Sequence, residues 1–316
     1  MPFRQRMRRR VKTMKEFYKK LDELYAAGDL KAVEAFIHGA IGESREGSPQ
    51  RAGLYNELAG FYRGVSRYAE SEDAFINALN VFESVGMGST PEYATVLVNL
   101  AGLYRMRGEA DKAIDLFYDA MKKLENAGAR NGYSYVSVIN NLALAFQEKG
   151  DYARALEYAG RALNILRAAD SPNEHEIAAS LNNLATIRLR LGELDIADNL
   201  ISESLGIYES MAETNVHHAA ALTTKAVIQC RAGNYRGALD GFRLALELTR
   251  RFFGENIEFA ICRRNIADVH ELLGDIPSAI AELSDAVRIM GNIFGEEHNS
   301  VKDARGKLER LRSIKI

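Results

Sequence analysis

The chain repeats itself. A turn residue recurs at Ser66, Gly108, Gly150, Gly192, Gly233 and Gly274, at spacings of 42, 42, 42, 41 and 41 residues. A fixed period of this length constrains the fold more than composition can. Each unit must be a supersecondary element that buries its apolar face on the next copy. The register is confirmed at three further positions. Ala59, Ala101, Ala143, Ala185, Ala226 and Ala267 stand seven residues before the turn. Ser71, Ala113, Ala155, Ala197, Ala238 and Ala279 stand five after it. Ala78, Ala120, Ala162, Ser204, Ala245 and Ala286 stand twelve after it. A small side chain at a helix crossing lets the partner's ridge sit deep in the groove. Larger apolar residues accompany them, among them Leu58, Leu100 and Leu142 before the turn and Phe75, Phe117 and Phe242 after it. Helix, glycine turn, helix is therefore the unit, and the reading is an all-α solenoid.

This arrangement resembles the tetratricopeptide repeat, in which two antiparallel helices pack around small residues at these relative positions. Tyr62, Tyr104 and Phe146 match that family's first-helix aromatic. The longer period, with NNLA at 182–185 and FGEEHNSV at 294–301, is similar to the long repeats of kinesin light chains. The resemblance implies a right-handed superhelix whose first helices line a concave groove. Arg188, Gln229 and His270 replace the first-helix aromatic, and Ala159 replaces the second-helix one in its repeat.

On this register residues 1–13 form a basic arm and 14–46 a degenerate helical pair acting as an N-terminal cap. Residues 50–291 hold six repeats, and 292–316 hold a C-terminal capping helix. The arm carries six positive charges in its first twelve residues and no apolar core, so it is not read as a secretory signal. A disordered tail is the plain reading, and a basic arm for nucleic acid or acidic lipid the other; Met7 and Met14 are alternative starts. The cap's turn, Gly28, lies 38 residues before Ser66 and is out of step with the array. The end pairs, with one neighbour each, are expected to fray first.

Composition excludes several classes. No run approaches the ~18 apolar residues of a membrane span. A net charge of −2 gives no global pull toward nucleic acid. Two cysteines, Cys230 and Cys262, are too few for a disulfide framework, which suits a cytoplasmic protein. Neither metal-ligand spacing nor a nucleophile or phosphate-loop motif appears, so no cofactor and no enzymatic activity are expected.

The groove positions that the resemblance implies supply the candidate site. Asn recurs at one register position, Asn99, Asn141, Asn183 and Asn265, with Asn140 and Asn182 beside it. An amide donates and accepts, so a row of them can hold a peptide backbone whatever its sequence. The other use of such a row is to bond neighbouring repeats together. Arg63, Arg105, Arg190, Arg231 and Arg264 share the face, and their planar forks suit carboxylates. The lysine of the carboxylate clamp found in some chaperone-binding relatives is missing, with Thr95, Ser137, Ala179 and Ala220 at its place. The expectation is a scaffold that binds a protein or peptide of acidic character. The alternative is a peptide-sensing regulator of bacterial type whose superhelix responds to ligand. Nucleic acid and membrane are disfavoured as partners.

Overall fold

The computed structural model describes residues 14–130, 132–211 and 215–314; the basic arm lies outside them. Fifteen helices and no strand occur among the described residues. A leading pair, α1 (Met14–Ala26) and α2 (Leu30–Glu43), precedes six hairpins. These are α3 (Pro49–Gly64) with α4 (Tyr68–Ser84), α5 (Pro91–Met106) with α6 (Ala110–Asn126), and α7 (Tyr133–Glu148) with α8 (Tyr152–Arg167). Then come α9 (Glu174–Arg190) with α10 (Leu194–Ser210), α11 (Val216–Arg231) with α12 (Tyr235–Phe253), and α13 (Ile257–Leu272) with α14 (Ile276–Phe294). A single helix, α15 (Asn299–Arg312), closes the series. The sixth hairpin runs to Phe294, three residues past the expected limit of 291.

All eighteen small register residues are at 0 % exposure. Two of them are serines, and each turns its hydroxyl to a backbone carbonyl: Ser71 Oγ to Ala59 O at 2.8 Å, Ser204 Oγ to Ala178 O at 2.7 Å. Burial without a partner would have cost more than the hydroxyl is worth. The turns share one geometry. In the second hairpin Glu109 N–H donates to Tyr104 O and Gly108 N–H to Arg105 O, which satisfies the carbonyls left over at the helix end. Gly108 takes φ +81°, a conformation that side chains disfavour.

Two of the three polar residues at the aromatic register position find local partners. Arg188 pairs with Glu193 at 2.6 Å and His270 with Asp275 at 3.2 Å, each acid opening the following helix. Where Ala159 leaves room, Tyr158 stacks on Phe146 with centroids 5.6 Å apart. The leading pair joins the array as a repeat would. Glu34, six residues after its turn, accepts from Tyr62 Oη at 3.0 Å and pairs with Arg67 at 2.8 Å. Glu72, six after Ser66, does the same for Tyr104 at 2.6 Å and Arg107 at 2.5 Å. At the other end α15 lays Val301, Ala304, Leu308 and Leu311 on α14, all four buried.

First helices of successive hairpins touch one another, α3 on α5 and so on to α13. Elements on the inside of a bend crowd most, so the first helices form the inner wall. The bend is tight enough that the array meets itself. Asn256 Nδ2 donates to Gly64 O at 2.8 Å, and Ile257 N–H donates to Ser66 Oγ at 3.0 Å, across 192 and 191 residues of chain. Asn256 Oδ1 meanwhile caps α13 by accepting from Phe259 N–H at 3.0 Å. The Phe253 ring lies over Gly64, where an added Cβ would come within 2.5 Å of it. Phe253 also meets Tyr25 edge-on at 6.1 Å, and Phe294 lies 5.9 Å from Tyr68. The first and last hairpins are thus clasped, and the groove is a closed channel.

Candidate ligand-binding channel

Much of the polar inner wall binds one repeat to the next. Asn99 Nδ2 donates to Asn56 Oδ1 at 2.9 Å, and Arg63 Nη1 donates to Asn99 O at 3.1 Å. Thr95 Oγ1 and Ser134 Oγ lie 2.7 Å apart. Arg105 pairs with Glu148 at 2.5 Å, and Thr186 Oγ1 donates to Gln147 Oε1 at 3.2 Å. Arg231 Nη1 donates to Leu189 O at 2.9 Å.

The predicted amides therefore divide. Asn140 is buried and donates to Ser180 Oγ at 2.7 Å, between repeats rather than into the channel. Asn141 Nδ2 returns to Ser137 O of its own helix at 2.9 Å. Asn182 keeps its Oδ1 buried without a hydrogen-bond partner among the described residues. Asn183 and Asn265 are half-buried, and neither side chain bonds another described residue. Of the arginines, Arg190 is exposed and Arg264 half-buried, and neither pairs with an acid among the described residues. The row thus mixes groups that join repeats with groups available to a ligand.

A second set escaped the register argument. Tyr133, His217 and Glu258 open the first helices of the third, fifth and sixth hairpins and are exposed, Tyr133 at 62 %. Burial nevertheless raises the Tyr133 phenol and the Glu258 carboxyl above their usual ranges and holds the His217 imidazole below its own. They also sense charges from other repeats. Arg63 acts on Tyr133 and, with His175, on His217; Arg105 acts on Glu258. Burial and the neighbouring Arg105 together depress the Arg63 guanidinium. Tyr133, His217 and Glu258 thus stand at the starts of α7, α11 and α13, within the electrostatic reach of arginines of α3 and α5. The signal was available in the sequence: these starts lie sixteen or seventeen residues before their turns. It becomes meaningful only once the superhelix closes.

No metal-holding group of His, Cys, Asp or Glu occurs among the described residues, and no described helix is long and apolar enough to cross a membrane. Cys230 and Cys262 are free thiols.

Among known proteins, the family described as tetratricopeptide repeat matches residues 50–126, 135–210 and 217–301. No curated protein matches in sequence. Solved structures do. NprR in complex with its cognate peptide NprX aligns at TM-score 0.65 and 14% identity, over 94% of this chain and 87% of that one. A Rap protein complexed with competence and sporulation factor gives 0.57 and 15%, over 93% and 96%. BtubC (BKLC) from P. vanneervenii gives 0.52 and 20%, over 64% and 82%. At these identities the likeness is one of fold.

Proposed function

From the premise that the chain belongs to the tetratricopeptide repeat family, we propose that it is a non-catalytic scaffold whose closed channel holds a peptide or an extended segment of a protein partner. The observation that carries this reading is the set of inner-wall groups left over after the repeats have bonded to each other. Asn183, Asn265, Arg190 and Arg264 are solvent-reachable and make no bond to another described side chain. Mid-helix Asn is mildly unfavourable for a helix, so an amide that bonds no neighbour is accounted for by a ligand. A preformed wall lowers the ordering cost of binding, which lets several modest contacts add up. The complexes of NprR with NprX and of the Rap protein with its factor support the reading by precedent of fold.

Panning a random peptide library on the immobilised full chain tests it. Peptides enriched on the wild type should bind the double variant Asn183→Ala with Asn265→Ala about tenfold more weakly. Unchanged affinity, or no enrichment, defeats the channel as the site.

A second reading, a regulator whose superhelix answers to its ligand, is favoured by the clasp. A closure made by two hydrogen bonds and a few ring contacts is a small enough set for a ligand to bias. Small-angle scattering with and without a selected peptide separates the readings: constant dimensions mean a static scaffold.

A further inference from the structure

One joint of the array is closed by a hydrogen bond whose acceptor can take up a proton. Asn215 caps α11, its Oδ1 accepting from the His218 N–H at 3.0 Å. An amide carries its oxygen and its nitrogen on opposite arms, so the cap fixes where Nδ2 points. It points to the preceding hairpin, where it lies 3.1 Å from Nδ1 of His175, in the first turn of α9. Nδ2 can only donate, so Nδ1 must accept, and the ring proton of a neutral His175 is on Nε2. Asn256 is built alike, with Oδ1 capping α13 and Nδ2 donating to Gly64 O. A peptide carbonyl does not titrate, whereas an imidazole ordinarily changes charge between pH 5 and 8.

A proton arriving from water on His175 Nδ1 sets two donors face to face, and the bond is lost. If the amide turns over to offer Oδ1 to the imidazolium, Nδ2 meets the His218 N–H and the cap is lost instead. The rest of the joint favours neutral rings too. His218 stacks on Tyr208 of α10 with centroids 5.3 Å apart and 17° between planes, and Tyr208 lies 6.3 Å from His175. Nδ1 of His218 is buried without a hydrogen-bond partner among the described residues, so a proton there would be buried without an acceptor. Burial holds the His218 imidazole below its usual range, with Glu209 opposing. A depressed imidazole supports the fold above its unfolded pKa, and that support is lost as pH falls through the folded one. Both histidines therefore act in one direction. The charges about them are divided: Glu176 of α9 and Glu209 of α10 favour a proton at the joint and His217 of α11 opposes one, while Glu213 stands two residues before Asn215 in sequence.

We propose that the joint between the fourth and fifth hairpins is a proton-sensitive latch, which neutral His175 closes through Asn215 and a proton on its Nδ1 releases. The latch makes the attachment of the fifth hairpin to the fourth depend on pH, and it stands whatever the channel holds.

Nuclear magnetic resonance of the full chain labelled with ¹⁵N-histidine tests it. At pH 7.5 His175 should show the Nε2–H tautomer. Asp caps a helix as well as Asn does, but both of its oxygens accept. Asn215→Asp should therefore keep α11 capped and raise the His175 titration midpoint by about one pH unit, a tenfold gain in proton affinity. Amide exchange at His218 and Ala219, corrected for the intrinsic effect of pH, should quicken about tenfold in the wild type between pH 7.5 and pH 5. The same amides should respond less than about twofold in Asn215→Asp, and also in His175→Asn, whose Oδ1 replaces the Nδ1 acceptor and does not titrate. An Nδ1–H tautomer at pH 7.5, or one midpoint shared by the wild type and Asn215→Asp, overturns the latch. So does exchange that ignores pH in the wild type, or that answers to it equally in His175→Asn.

Discussion

Ser66 holds a backbone conformation that the other five turns of the array give to glycine. Its φ is +62°, and among the described residues it is the one non-glycine with positive φ. The departure was visible in the register, but its reason lies 191 residues away, where the Ile257 N–H ends on its hydroxyl. That N–H is one of the donors a helix start leaves unpaired, and here it is buried. The left-handed conformation costs a side chain about 1–2 kcal/mol, and leaving a buried donor unsatisfied costs about 1–3 kcal/mol. Ser66→Ala keeps the strain and loses the bond, whereas Ser66→Gly loses both. Urea midpoints should therefore fall in the order wild type, Ser66→Gly, Ser66→Ala. A glycine variant more stable than the wild type would show that the bond contributes nothing. Glu258 gives a second prediction at this scale. Its carboxyl is raised above the ordinary glutamate value by burial, with Arg105 opposing. A raised acid favours folding below the unfolded pKa, and that contribution is lost as pH rises through the folded one. At pH 7 the charged form is therefore a burden. Glu258→Gln should melt higher than the wild type at pH 7 and level with it at pH 4. A lower melting point at pH 7 would mean that Arg105 more than compensates the burial.

Two second helices are longer than the rest, and the excess has a use. Helices α12 and α14 run 19 residues, against 16 or 17 for α4, α6, α8 and α10. Each ends in Phe–Gly, and each of those phenylalanines, Phe253 and Phe294, meets the first hairpin or its cap. In the sequence FGEN at 253–256 reads as loop chemistry and FGEEHNSV at 294–301 as a likeness to the long repeats, because nothing local says that the ring before the glycine has a distant partner. Gly64 is the complement: the equivalent position in the other hairpins is Met106, Glu148, Arg190, Arg231 or Leu272, and here the Phe253 ring takes the space. Gly64→Leu puts a branched side chain where the Phe253 ring lies. The clasp should open, and the radius of gyration from small-angle scattering should rise while far-ultraviolet circular dichroism stays helical. Unchanged dimensions would mean that Phe253 can turn aside and that the closure is held by its other contacts, Asn256 on Gly64, Ile257 on Ser66 and Phe294 on Tyr68.

The repeat unit was legible throughout the sequence because its determinants are local: a glycine, three small residues and the large ones beside them recur within each hairpin. The channel was not, because closure is the sum of small rotations between neighbours, and no residue pattern states a sum. Asn140 illustrates the difference. Its place on the first helix was clear, but its aim toward Ser180 depends on how the fourth hairpin is turned on the third. Closure also revises what the array's ends should do. An open solenoid unfolds from its ends, since terminal repeats have one neighbour each. Here the first hairpin, flanked along the chain by the leading pair and the second hairpin, has a further partner in the start of α13 through the clasp. Amide exchange should therefore protect α3 and α13 to a similar degree, both close to the central α7 and α9. In Asn256→Ala the bond to Gly64 O and the α13 cap are lost together, and a cap alone is worth about 1 kcal/mol. The cap's loss can speed exchange in α13, but only the clasp reaches α3. Faster exchange in α3, with α7 and α9 unmoved, is the outcome a closed ring requires. If α3 is unaffected, the two ends of the array are independent and the channel is a groove after all.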